Sequence, residues 1–287
     1  MDCFAMLAMT EVTLDSLVST EWLAQHLDDL VVVDASWFMP ASGRKAHDEY
    51  LTAHIPGARF LDIDEVSDRS NPAPHMLPGA ADFAAAMELA GIGSSDRIVV
   101  YDNSPIRTAA RGWFMLRHFG ASQVAILDGG FQKWTAEGRP IESSEPRPRS
   151  AQFEATERDE VVTKQQLLRE IGLPWVDARG RPRFEGDVPD PRAGVAPGHA
   201  PGARNLPFES LYREDGTFRP VEELRQLYAE AGIDPAKPFV ASCGSGVTAN
   251  SLVFAAHLIG NDDTKLYDGS WSEWGADPVT PKATGPA

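Results

Sequence analysis

The chain has 287 residues, enough for two domains of ordinary size. Hydrophobic residues make up 43% and charged residues 24%, a balance that excludes a disordered chain. Its 26 basic and 42 acidic residues leave a formal charge of −16, a surface that repels nucleic acid and anionic lipid, so neither is an expected partner.

In chain order, Met1 to Thr10 is mildly apolar but lacks a basic leader and a long apolar run, so it reads as a frayed start, with translation beginning at Met6 or Met9, and not as a signal peptide. Leu30 to Val33 is a short apolar run ending in Asp34, the pattern of a buried strand. Ala80 to Ala90 has helical spacing and stops at Gly91. Arg97 to Asp102 is a strand, Thr108 to Phe119 a helix ended by Gly120, and Val124 to Leu127 a further strand. Residues 141–150, rich in Pro, Ser and charge, read as an exposed linker. Beyond it the alternation resumes: helix Lys164 to Glu170, strand Trp175 to Asp177, helix Val221 to Ala231, strand Phe239 to Ser242, helix Val247 to Ile259, and strand Lys265 to Tyr267. Strands alternating with helices imply an α/β fold, each unit a parallel sheet with helices on both faces.

The two halves repeat one another. Asp34-Ala35 recurs as Asp177-Ala178, His54-Ile55-Pro56-Gly57 as His199-Ala200-Pro201-Gly202, and Asp128-Gly129-Gly130 as Asp268-Gly269-Ser270, at offsets of 143, 145 and 140 residues. That period is too long for a solenoid and marks a duplicated domain, over 10–140 and 151–280.

One loop carries candidate chemistry. Ser242-Cys243-Gly244-Ser245-Gly246-Val247-Thr248 follows an apolar strand and enters a helix. Ligands of open α/β sheets bind at the carboxyl ends of strands. Glycines 244 and 246 permit a tight turn whose amides form an anion nest, and the helix start adds its positive end. These favour the nucleophilic thiolate. A single cysteine after a strand is most often a small buried apolar residue; the two glycines directly before a helix favour the reactive reading. Asp102 stands at the matching place of the first half, so that half is expected to be catalytically silent and to cover the other's site. The only other cysteine is Cys3. Its place in the tail argues against a disulfide and for a reducing cytoplasm. No metal-ligand cluster or cofactor motif occurs.

The Cys243 loop, the paired His-x-Pro-Gly segments and the paired Asp-Gly-(Gly/Ser) segments resemble tandem-domain rhodaneses, from about Trp22 to Trp274. Within these the chain is most similar to mercaptopyruvate sulfurtransferases. The resemblance implies two tandem rhodanese-like domains and ping-pong transfer of sulfur from 3-mercaptopyruvate, through a Cys243 persulfide, to a thiol such as thioredoxin or to cyanide. It implies no cofactor. It assigns donor binding to Arg183 and Arg192, whose guanidinium geometry suits a carboxylate, and to Gly244, Gly246, Val247 and Thr248. It also implies a relay of Ser245, His75 and Asp64; the alternative is that His75 and Asp64 hydrogen-bond loop backbone at a domain interface.

Thiosulfate-preferring relatives carry basic side chains directly after the cysteine, where this chain has Gly244 and Ser245, so a thiosulfate:cyanide sulfurtransferase is the second reading. A cysteine phosphatase needs an arginine six positions after the cysteine, and Ala249 stands there. A non-enzymatic rhodanese-like binding module is the third reading. The segment Asp102 to Arg111 is shorter than its family counterpart and lacks an aromatic residue, for which Arg107 and Arg111 are expected to compensate. His54, His199, Asp34, Asp177, Asp128 and Asp268, present in both halves, are expected to be structural. Trp271 is expected at the edge of the site.

Overall fold

A computed structural model describes residues 14–169 and 171–287. Cys3, the alternative starts Met6 and Met9, and Glu170 lie outside the described residues. The first repeat runs β1 (Leu17–Val18), α1 (Thr20–His26), β2 (Val31–Asp34), α2 (Ala46–Thr52), β3 (Arg59–Phe60), α3 (Ala80–Ala90), β4 (Arg97–Tyr101), α4 (Ala109–His118), β5 (Gln123–Leu127) and α5 (Gly130–Ala136). The second runs β6 (Val161–Val162), α6 (Lys164–Leu168), β7 (Trp175–Asp177), α7 (Arg181–Glu185), β8 (Arg204–Asn205), α8 (Val221–Glu230), β9 (Val240–Ser242), α9 (Ala249–Ile259), β10 (Lys265–Tyr267) and α10 (Ser270–Trp274).

Two five-stranded sheets result, ordered β1-β5-β4-β2-β3 and β6-β10-β9-β7-β8. Every pairing is parallel, as in Val32 beside Val99 and Val176 beside Ala241. The inner strands are apolar because helices cover both faces: Val33, Val99, Val100, Val240 and Ala241 are fully buried. The two-residue outer strands β1, β3, β6 and β8 escape a sequence reading because two residues show no periodicity; only the sheet recruits them. The second long helix starts at Ala249, not Val247, because Gly246 has φ +73 and holds residues 244–248 as a loop.

Apolar burial also joins the repeats. One hydrophobic core runs from Val33, Trp113 and Phe119 in the first repeat to Tyr212, Phe254 and Leu266 in the second, and the Trp113 and Phe254 rings meet edge to face at 4.8 Å. The contact is reciprocal. Asp128 of the first repeat accepts the Phe218 amide of the second at 2.8 Å, and Asp268 of the second accepts the Leu77 amide of the first at 2.6 Å. Each repeat therefore lays a loop over the strand ends of the other. Among the described residues no helix is long and apolar enough to cross a membrane.

Candidate active site

Cys243 directly follows the central strand β9 and is 2% exposed. Its amide donates to the Ser270 hydroxyl at 3.0 Å. Its carbonyl and that of Gly244 accept the amides of Trp271 and Ser272 at 3.0 and 2.9 Å, at the start of α10. The Gly246 carbonyl accepts from Asn250 and Arg111 at 2.6 and 3.2 Å. With the carbonyls so committed, the amides of Gly244 to Thr248 donate to no group among the described residues. A cluster of unengaged N–H groups beside a sulfur is a built place for negative charge.

The first repeat supplies the contrast. Asp102 occupies the place of Cys243, and its carboxylate accepts the Ser104 and Ala109 amides, both at 2.7 Å. The Asn103 and Ile106 amides go to the hydroxyls of Ser36 and Ser104. Burial pushes the Asp102 carboxyl above its ordinary range, against the pull of those amides. This nest is filled by its own side chain and sealed by Tyr212, Gly216 and Phe218.

Over Cys243, by contrast, lies a cavity of about 800 Å³. Gly244, Ser245, Val247 and Thr248 line it with Cys243, as do Arg183, Arg192, His75 and Asp64. Gly246 does not; it turns the loop, and its carbonyl faces α9 and Arg111. A Cβ on Gly246 would fall 2.5 Å from the Asp268 carbonyl oxygen, so the close approach requires glycine.

Arg183, on α7, and Arg192 converge on the loop: a Cβ on Gly244 would lie 3.2 Å from a terminal nitrogen of each. Asp190, 1% exposed at its side chain, fixes both, accepting from Arg183 Nη2 at 2.7 Å and Arg192 Nη1 at 3.1 Å. Burial pushes the Asp190 carboxyl up, but the hydrogen bonds from Arg183 and the Arg192 amide outweigh it, and it stays below the ordinary range. Arg183 Nε is buried without a partner among the described residues. In the sequence Asp190 stands between the two arginines as one of several acidic loop residues, and nothing there sets it apart.

The Ser245, His75 and Asp64 side chains form a connected chain. His75 Nδ1 lies 3.0 Å from Ser245 Oγ, and its Nε2 lies 3.1 Å from Asp64 Oδ1. Asp64 also accepts the Trp37 indole N–H at 2.8 Å, and the Trp37 ring stands edge to face with His75 at 4.8 Å. The hydrogen bond from His75 is the main cause that holds the Asp64 carboxyl below its ordinary range, burial opposing. An ionised Asp64 accepts Nε2–H, which leaves Nδ1 to accept the Ser245 hydroxyl. Nothing in the sequence singles out Trp37 for this indole contact.

Two expectations are corrected. Trp271 is buried beneath the site instead of edging it; Arg179, which does line the cavity, stacks its guanidinium on the Trp271 ring at 4.5 Å. Nor do Arg107 and Arg111 replace the missing aromatic. Ile106 lines the cavity there, Arg107 lies over Tyr212, and Arg111 is wholly buried between the repeats. His54 and His199 meet the carbonyls of Tyr50 and Phe184 at 2.7 and 2.8 Å.

Known proteins resemble this chain along most of its length. The family model for the rhodanese-like domain matches residues 19–137 and again 162–277. The 3-mercaptopyruvate sulfurtransferase of Homo sapiens is 41% identical, over 90% of this chain and 91% of its own. The thiosulfate sulfurtransferase of Bos taurus is 40% identical, over 92% and 93%. Among solved structures, SseA of Escherichia coli, described as a 3-mercaptopyruvate sulfotransferase, superposes with a TM-score of 0.82 at 37% identity, covering 90% of this chain and 99% of that one. The chain belongs to the rhodanese-like family and carries its domain twice in tandem.

Proposed function

We propose that the protein is a 3-mercaptopyruvate sulfurtransferase that carries sulfur as a persulfide on Cys243. The observation that carries this reading is the pairing of unengaged amides around Cys243 with two anchored arginines beside Gly244. The donor is a thiol with a keto-acid carboxylate. Arg183 and Arg192 would hold the carboxylate, which brings the sulfur to the thiolate.

Attack of the Cys243 thiolate forms an S–S bond and breaks the donor C–S bond, whose electron pair goes to carbon as the enolate of pyruvate. The donor's thiol proton must end on that carbon. His75, with Nδ1 as acceptor, would take it through the Ser245 hydroxyl as an imidazolium beside Asp64, then return it by the same hydroxyl. Pyruvate leaves, and the outer sulfur keeps the negative charge in the nest. An acceptor thiol then attacks the outer sulfur, restores the Cys243 thiolate and departs as its own persulfide. A small thiol or thioredoxin suits this second step, and a reducing cytoplasm suits both.

Thiosulfate is disfavoured as principal donor because Gly244 and Ser245 add no positive charge, and a basic side chain at 244 would press on Arg183 and Arg192. Intact mass after mixing with 3-mercaptopyruvate or thiosulfate tests the proposal. The expected result is a gain of one sulfur, greater with mercaptopyruvate and absent in Cys243→Ser. A gain mainly with thiosulfate would reassign the donor, and no gain with either would leave a binding module.

A further inference from the structure

Arg111 sits on the first turn of α4 and is 0% exposed. Its Nη2 donates to the His75 carbonyl at 2.5 Å. Its Nη1 donates to Asp268 Oδ1 at 2.8 Å and to the Gly246 carbonyl at 3.2 Å. The other oxygen of Asp268 takes the Leu77 amide. One guanidinium thus meets three strands of chain: the His75 segment of the first repeat, the Cys243 loop, and the turn after β10.

His75 has φ +62, a left-handed backbone that a non-glycine residue rarely holds unless its surroundings enforce it. The bond from Arg111 to its carbonyl is such an enforcement. Without it the segment is free to relax toward an ordinary backbone, which would carry the imidazole away from Ser245. The fold itself does not demand an arginine here. At the matching turn of α9 stands Ser251, whose hydroxyl accepts from Tyr212 over the filled nest of Asp102. The arginine is found only in the copy of this helix that faces the sulfur-carrying loop.

We infer that Arg111 is a positioning residue for the donor half-reaction: its planar fork holds His75 on Ser245 and locks that contact to the Cys243 loop. The inference rests on the relay reading above. Loading from mercaptopyruvate moves a proton from sulfur to carbon, whereas loading from thiosulfate moves sulfur to Cys243 and releases sulfite with no proton transferred. A residue that acts through His75 matters to the first and little to the second; a residue that merely supports the fold lowers both alike.

The experiment is single-turnover persulfide formation, read by quenched intact mass, with each donor at saturation. Arg111→Lys keeps a positive charge for Asp268 but cannot span to His75. Its mercaptopyruvate rate relative to its thiosulfate rate should fall roughly 100-fold, the low end for a proton-transfer group and the scale of a misplacement of about 1 Å. His75→Ala should shift the ratio the same way. Should Arg111→Lys fail to fold, Arg111→Met with Asp268→Asn leaves no unpaired buried charge and keeps an acceptor for the Leu77 amide; the same fall in ratio is expected. A shifted ratio in His75→Ala but proportional losses in the Arg111 variants would overturn the inference and leave the relay standing. An unshifted ratio in His75→Ala would overturn the relay itself, and the inference with it.

Discussion

Substituting alanine at Gly246 tests how the sulfur-carrying loop is held. Two costs arise there. At φ +73 an alanine pays the left-handed penalty, about 1–2 kcal/mol. Its Cβ would also fall 2.5 Å from the Asp268 carbonyl oxygen and 2.6 Å from Asp268 Oδ1. Neither atom can swing clear, because Asp268 is bound to Arg111 and to the Leu77 amide; such overpacking costs about 1–3 kcal/mol. Together the loss is roughly 2–5 kcal/mol. Gly57 provides the control, with φ +74 and nothing within 4 Å of its Cβ position, so Gly57→Ala carries the conformational cost alone. Urea unfolding of both variants separates the terms, and persulfide loading reports on the site. The expected order of stability is wild type, Gly57→Ala, Gly246→Ala, with loading lost only in the last. A Gly246→Ala protein as stable as Gly57→Ala and fully able to load sulfur would refute the account of the loop.

Two further substitutions probe charge. Asp190→Asn removes the carboxylate that holds Arg183 and Arg192, and the donor KM should rise by roughly tenfold or more, the worth of one charge-assisted hydrogen bond, with kcat little changed; an unchanged or lower KM in steady-state assays would mean the arginines need no anchor. Asp34 is pushed up to about 6 by burial, with the hydrogen bonds from Ser36 opposing. An acid raised on folding stabilises the protein below its unfolded value and loses that contribution as pH rises from about 4 to about 6. Asp34→Asn should therefore flatten the fall in stability over that window and gain up to about 3 kcal/mol relative to wild type at pH 8. Urea unfolding at pH 4 and pH 8 measures it, and an equal pH dependence in both proteins would contradict the assignment.

Helix α3 and strands β7 and β10 match the sequence reading residue for residue: α3 has helical spacing and a stop at Gly91, and the two short strands are legible because they repeat the places of β2 and β5 in the first half. The outer strands were not legible, since only pairing with a longer neighbour makes two residues a strand. At the site, Cys243 was legible from its strand, its glycines and the helix behind it. Asp190, Trp37 and Ile106 were not, because a buried carboxylate, an indole N–H aimed at Asp64 and an isoleucine on a cavity wall look in sequence like ordinary loop and core residues. Ser245, His75 and Asp64 were joined only through family resemblance; they are brought together by a shared core that docks one repeat on the other.

The duplicated α/β architecture, the candidate place of Cys243 and its contrast with Asp102 follow from patterns a few residues long: apolar runs, glycines and the residue at a strand end. Tertiary structure alone decided which amides stay unengaged around the sulfur and which carboxylate anchors the arginines. It alone brings Arg111 to the His75 carbonyl of its own repeat and to the Cys243 loop of the other. Those facts depend on where α4 and α9 pack and on the backbone torsion that packing enforces at His75. Distances between groups far apart in the chain are set by the whole fold at once.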